Sequence, residues 1–295
     1  MSQESSSKNI LVRKGGAEVS GKDIRGKSPI SRLVEFYDSF AQLYDRFFTE
    51  YSPFYREHYL SLKSVIDSVL RYIPRGSLVA DLGCGTGFWS SYLESKGYSV
   101  VGVDLSSRSV YVLRSRGLDG LVSDARLAPF RRHVFDLVVS LGSVINHIEE
   151  LGLFLKSVNR ILKKGGYLIF DFDNASSLDN LYESLAFNNS SREYLLSLIS
   201  GFRKGYRFYW DLGGYYIRVY SLQEVLRESR ESGFKVINIK PIHTFTAFIP
   251  SRISERGGKI VTKVFDALHR LENIGSILPF SYVLSVSTAI ILRKI

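Results

Sequence analysis

The chain of 295 residues has one cysteine, one methionine, two tryptophans and seven prolines. A single cysteine, Cys84, excludes any internal disulfide and suits a reducing compartment. The opening "MSQESSSKNILVRKGG" lacks the apolar stretch of a secretory signal. Its Ser, Gly and Lys content reads as a disordered tail over residues 1–29. One charge-free run exists, Ile274 to Leu292, but Pro279, several serines and a β-branched second half read as a loop and a closing strand, "YVLSVSTAIIL". No integral membrane segment is therefore expected. The histidines at 58, 133, 243 and 269 show no ligand spacing, so no metal is expected either.

Acidic charge is scarce in parts of the chain. The formal net charge is +10, with 6 Lys/Arg against 3 Asp/Glu in residues 1–30, 18 against 19 in 31–200, and 15 against 7 in 201–295. That field either attracts an anionic partner or merely keeps the surface soluble.

What is present is a regular alternation. Residues 30–75 read as a helical cap, with Leu33, Phe36, Phe40, Leu43 and Phe47 on one face of "SRLVEFYDSFAQLYDRFFTEY". From residue 76 the order is strand, turn, helix: "SLVADLG", "FWSSYLESKG", "YSVVGVD", "SSRSVYVLRSRG", "DGLVSDA", "FDLVVSLG", "LGLFLKSVNRILKKGG" and "YLIFDFD". Short apolar strands alternating with helices predict a doubly wound parallel α/β sheet in three layers. After Asp173 the pattern breaks. Residues 174–220 read as two helices and an aromatic hairpin turning at Leu212-Gly213-Gly214, at the carboxyl end of the sheet where ligands bind in such folds. We expect a substrate lid there, with Tyr209, Trp210, Tyr216 and Arg218 as contacts. Residues 221–295 supply helices and closing strands.

The turn "VADLGCGTGFWS" fits neither common phosphate fingerprint. The dinucleotide pattern G-x-G-x-x-G fails because Phe88 and Ser90 stand where a third glycine belongs, and no Gly-Lys-Ser/Thr follows for a P-loop. The remaining pattern is D-x-G-x-G-x-G, with Asp81, Gly83, Gly85 and Gly87, which suits a smaller zwitterion carrying a nucleoside.

Over about residues 36–173 this chain resembles the class I S-adenosylmethionine-dependent methyltransferases, in particular the type 11, quinone-biosynthesis and related small-molecule members. The resemblance implies a Rossmann-like, mostly parallel seven-stranded sheet and S-adenosyl-L-methionine as cofactor, released as S-adenosyl-L-homocysteine. It also implies roles for residues. The turn of Asp81, Gly83, Cys84, Gly85 and Gly87 would contact the methionine portion. Asp104, with Leu105, would hold the ribose hydroxyls, and Asp124-Ala125 the adenine. Ser140 would lie along the cofactor, and Tyr44 in "LYDRF" would close over it. Cys84 reads as a small residue of the turn, not a nucleophile.

Methyl transfer asks the protein for alignment and exclusion of water more than for a conspicuous catalyst. His147 is the base candidate and His243 a second; Asp171 and Asp173 follow strand five and could orient an acceptor. Adenine-amino methylation of DNA is excluded, because Ser140-Leu141-Gly142-Ser143 stands where an Asn/Asp-Pro-Pro-aromatic element belongs. Cytosine C5 methylation lacks its cysteine. The expected reaction is transfer to an oxygen or nitrogen of a small or lipophilic molecule, in the cytoplasm or at a membrane surface. The alternative is a tRNA methyltransferase of the wobble-uridine type, which some members with a "DARLAPF" core resemble, docking RNA through the basic C-terminal third. A cofactor-binding protein without turnover is the third reading.

Overall fold

The computed structural model describes residues 28–41, 45, 53–187, 190–210, 214–256, 258–275, 278 and 281–295. The basic tail and Tyr44 lie outside the described residues, as do Leu43 and Phe47 of the expected apolar face. The strands are β1 (Leu78–Leu82), β2 (Ser99–Asp104), β3 (Asp119–Val122), β4 (Phe135–Ser140), β5 (Leu162–Asp173), β6 (Tyr206–Trp210), β7 (Tyr215–Val219), β8 (Phe234–Ile242) and β9 (Ser287–Lys294). Among the described residues, seven of them form one sheet in the order β3-β2-β1-β4-β5-β9-β8, and β6-β7 form a separate hairpin. The pairs from β3 through β5 are parallel; β9 runs antiparallel between β5 and β8. This is the mostly parallel seven-stranded Rossmann-like sheet that the resemblance implies.

The helices are α1 (Pro29–Phe40), α2 (Pro53–Leu70), α3 (Phe88–Ser95), α4 (Ser107–Ser115), α5 (Leu151–Ile161), α6 (Leu178–Phe187), α7 (Ser191–Ile199), α8 (Leu222–Glu231), α9 (Ser251–Arg256), α10 (Lys259–Gly275) and α11 (Ser281–Leu284). Helix α5 buries Leu151, Phe154, Leu155, Val158 and Ile161, a three-and-four spacing that makes one apolar stripe. It joins Phe135, Leu168, Phe170, Val225 and Phe234 on one side of the sheet. On the other side Leu62, Val65, Ile66 and Val69 of α2 meet Trp89 and Leu93 of α3 over Val79, Leu137 and Ile169. With both faces covered, the central strands read as continuous apolar runs. The lid has its own small core of Tyr194, Tyr206, Phe208, Tyr215, Ile217 and Val219, against which Leu33 and Phe36 of α1 pack. Helix α1 therefore packs with the lid, while α2 lies on a face of the sheet.

Two expectations need correction. "LKKGG" does not extend α5: Leu162 is already β-strand and pairs with Phe135, so β5 begins earlier than its apolar run. The closing strand also starts later, at Ser287. Residues 281–284 make a helical turn instead, whose Tyr282 and Val283 carbonyls accept from Asn174 Nδ2 at 2.8 and 3.3 Å. No helix among the described residues is long and apolar enough to cross a membrane.

Candidate active site

Strand β1 pairs with β2 on one side and β4 on the other, so the strand order reverses there and leaves a crevice at the carboxyl ends. The glycine turn fills that mouth. Gly83, Gly85 and Gly87 have φ of 80, 52 and 88°, the left-handed region that side chains resist. A Cβ on Gly83 would stand 2.5 Å from Val144 Cγ1, so this glycine is also required for space. Asp81 is buried at the end of β1 and accepts from Ser90 Oγ at 2.7 Å. Burial pushes its carboxyl up to about 7; the Ser90 bond opposes this and the nearby Asp104 adds to it.

Asp104 ends β2 and is held from two sides. Its Oδ2 accepts from Gly85 N at 2.9 Å and its Oδ1 from Ser106 N at 2.8 Å. Burial raises its pKa against those two bonds. Leu105 beside it is half-buried. At the end of β3, Asp124 is engaged by its neighbour: Arg126 Nε and Nη2 reach it at 2.9 and 2.6 Å. Partial burial would raise this carboxyl, but the guanidinium outweighs it and the pKa falls. Ala125 is buried, and Ser140 Oγ donates to the Leu82 carbonyl at 2.8 Å, tying β4 to β1. Cys84 is buried, and its thiol pKa is pushed up by burial, which is inconsistent with a nucleophile.

Two acids absent from the sequence reading clamp the cap onto this crevice. Asp38 of α1 accepts from Ser106 Oγ at 2.5 Å and from Arg108 N at 3.3 Å. Asp45 accepts from Thr86 Oγ1 at 2.5 Å and pairs with Arg116 at 2.5 Å. No local signal marks them: they are two of several charged residues on the polar side of an amphipathic segment some distance before the glycine turn.

The second half of the site follows β4. Asp171 accepts from Gly142 N at 2.8 Å and Ser143 N at 3.0 Å, and His58 Nε2 lies 3.2 Å from its Oδ2. Asp173 accepts from Ser143 Oγ at 2.9 Å and Ser287 Oγ at 3.1 Å, and burial raises its pKa. These bonds fix Ser143, at φ 59°, and aim the short 3-10 helix Val144–His147. His147 Nε2 then lies 3.0 Å from the hydroxyl of Tyr37 on α1. Its ring is boxed by Tyr37, Tyr215 and Trp210 at centroid distances of 5.6, 5.9 and 6.0 Å. Phe36 backs Trp210 at 5.0 Å. His147 Nδ1 and the Tyr215 hydroxyl are buried without a hydrogen-bond partner. Burial lowers the imidazole to about 4, so it is neutral at physiological pH. The Tyr37 phenol is pushed up by burial, and further by the charges of Asp104 and Asp173.

The hairpin splits the expected lid contacts by its two-residue alternation. Trp210 and Tyr215, cross-strand partners, face His147. Tyr209 and Tyr216 pair on the opposite side, with Tyr216 exposed. Arg218 binds Glu224 at 2.6 Å, and its carbonyl accepts from Asn146 Nδ2 at 2.7 Å. His243 lies elsewhere, stacked on Phe54 at 4.0 Å and bonded to Thr246 Oγ1 at 2.9 Å. Among the described residues no group of three or more His, Cys, Asp or Glu could hold a metal ion.

The doubly wound sheet, the glycine turn and the acids at the strand ends have the layout of the methyltransferase class that the sequence resembles. Residues 80–170 match the methyltransferase domain family, and this match together with the fold supports a class I S-adenosylmethionine-dependent methyltransferase with S-adenosylmethionine as its cofactor. Similar proteins include a putative methyltransferase of Geobacillus, 26% identical over 75% of this chain and 96% of that protein. A tRNA (carboxymethyluridine(34)-5-O)-methyltransferase of Xenopus tropicalis is 38% identical over 34% of this chain, a stretch covering only 16% of that enzyme. Among solved structures, a phosphoethanolamine N-methyltransferase of Haemonchus contortus in complex with S-adenosyl-L-methionine shares the fold with a TM-score of 0.57 and 18% identity, over 92% of this chain and 61% of that one.

Proposed function

We infer that this protein transfers the cofactor's methyl group to a nitrogen or oxygen of a small, flat or lipophilic molecule held in the box of Tyr37, His147, Trp210 and Tyr215. The observation that carries this reading is the buried, neutral imidazole with an unpartnered Nδ1, walled by aromatic rings beside the glycine turn. The cofactor's sulfonium supplies an activated methyl group for in-line displacement. The glycine turn, with Asp81, lies against its methionine portion, its Thr86 amide being the one that no bond to a described residue takes up, and Asp104 accepts from the ribose hydroxyls through charge-assisted bonds. Leu105, Asp124, Ala125 and Ser140 flank the nucleoside. Acceptor chemistry favours this assignment: the carboxylates of Asp81 and Asp104 stand at the ends of β1 and β2 beside the glycine turn.

An imidazole held near 4 is a weak proton acceptor. His147 is therefore suited to orient an acceptor that is already neutral, or that loses its proton readily, and Tyr37 fixes which ring nitrogen is available. The aromatic walls exclude water from the displacement. A second reading rests on the likeness to the core of the tRNA enzyme and on the basic surplus of residues 201–295, which would dock RNA.

The test uses cofactor labelled in its methyl group, incubated with the purified protein and a cell extract, followed by separation into RNA, lipid-soluble and aqueous fractions. Label in the lipid or small-molecule fraction is expected. Label in RNA that nuclease removes overturns the reading in favour of the second.

A further inference from the structure

The two lid helices are inside out. Helix α6 buries Asn180, Glu183 and Ser184 while Tyr182 and Leu185 are exposed, Leu185 by 78%. The buried Glu183 is satisfied by Arg252 Nε at 2.7 Å, so the polar side is built for the interior. Helix α7 buries only Tyr194 and Ser197 among its described side chains; Leu195 is 55% exposed, Leu196 53% and Ile199 75%. At 100° per residue, Leu195, Leu196 and Ile199 fall on one outward face together with Arg192. A helix that turns leucines to solvent has no apolar cover for that face among the described residues.

The surrounding charge says what that partner is. Arg192 on the same face and Arg203 and Lys204 just beyond α7 are exposed and make no ion pair with a described residue. An aliphatic face rimmed by unpaired cations matches an anionic lipid surface, where the chains take the leucines and the headgroups take the arginines. A two-fold contact with a second copy would set these cations against one another. Nucleic acid would want stacking rings, and the outward side chains of α7 are aliphatic.

We propose that α6 and α7 form a membrane-surface docking face specific for anionic lipid. The face belongs to the same layer as the aromatic box: Tyr209 N donates to Ser190 Oγ at 3.0 Å, joining the hairpin to the start of α7. Docking therefore brings the lid against the bilayer boundary.

The test is flotation of the full chain with vesicles of phosphatidylserine and phosphatidylcholine against phosphatidylcholine alone, read without any turnover so that it stands apart from the identity of the methyl acceptor. Binding to the anionic vesicles is expected, lowered by salt. The Arg203→Gln/Lys204→Gln variant is expected to lower the partition coefficient about thirtyfold, from about 1 kcal/mol per basic residue at such a surface. The Leu195→Ser/Leu196→Ser/Ile199→Ser variant is expected to abolish flotation while retaining wild-type cofactor affinity, which serves as the folding control. Flotation of that triple variant at the wild-type level overturns the proposal and assigns binding to another part of the chain. Absence of flotation by the wild type overturns it too, and a concentration-dependent dimer lost in the triple variant would then identify the face as a self-association surface.

Discussion

Among the buried titratable groups, His147 and Asp81 push the response of stability to acid in opposite directions. The His147 imidazole lies near 4 in place of its ordinary 6.5, so the unfolded chain takes up that proton first. Its contribution is complete above pH 6.5 and is lost as the pH falls toward 4, and the whole gap, at about 1.4 kcal/mol per pH unit, is about 3.4 kcal/mol. Asp81 works the other way. Its carboxyl, near 7 against an ordinary 3.8, keeps its proton in the folded state after the unfolded chain has lost it. Stability from this source falls as the pH rises from about 4 to 7, by about 4 kcal/mol in all. Between pH 7 and pH 5 each term amounts to about 2 kcal/mol, and in the intact protein they offset. Substitution separates them. His147→Gln keeps a hydrogen-bonding side chain without the titration, and is expected to gain about 2 kcal/mol relative to wild type on going from pH 7 to pH 5. Asp81→Asn is expected to lose about as much over the same interval. Urea unfolding followed by the fluorescence of Trp89 and Trp210, at fixed ionic strength and without cofactor, gives both differences. If either variant runs parallel to wild type across this interval, the burial argument for that residue is wrong.

Asp104→Asn leaves an amide where Gly85 N needs an acceptor and would remove charge from the proposed ribose contact; cofactor affinity by equilibrium dialysis should fall about thirtyfold or more, at about 2 kcal/mol for a charge-assisted pair. Gly83→Ala meets Val144 at 2.5 Å and demands φ of 80° from alanine. It should cost about 2–4 kcal/mol in chemical unfolding, and adding Val144→Ala should recover the packing share but leave about 1–2 kcal/mol of backbone strain. Trp210→Ala opens one wall of the box and should lower kcat/KM for the methyl acceptor by about tenfold or more, with cofactor affinity unchanged, since an aromatic contact beyond its area is worth about 1 kcal/mol and alignment is lost as well. Loss of cofactor affinity instead would place Trp210 on the nucleoside.

Much of the cofactor crevice could be read from the chain. A strand ending in Asp81, glycines at every second place and a helix starting at Phe88 are local facts, because the turn's left-handed φ values are required whatever packs around it. The acids at 81, 104 and 124 are likewise marked by the strands they end. The alternation of strands and helices determined the sheet, since each apolar stripe has only one way to be covered. What the tertiary structure alone decided is the acceptor side. Tyr37 and His147 stand 110 residues apart and meet only when α1 lies across the strand ends. The alternation in the hairpin predicts two faces but not which one turns inward; packing against Phe36 and His147 chose Trp210 and Tyr215 over Tyr209 and Tyr216. Asp124 looked free in the sequence and is engaged by Arg126, and Ser140 looked directed at the cofactor and is spent on the Leu82 carbonyl. Local pattern fixes what each residue can do; which partner takes up that capacity is settled by contacts between segments far apart in the chain, and those depend on the shape of the whole core.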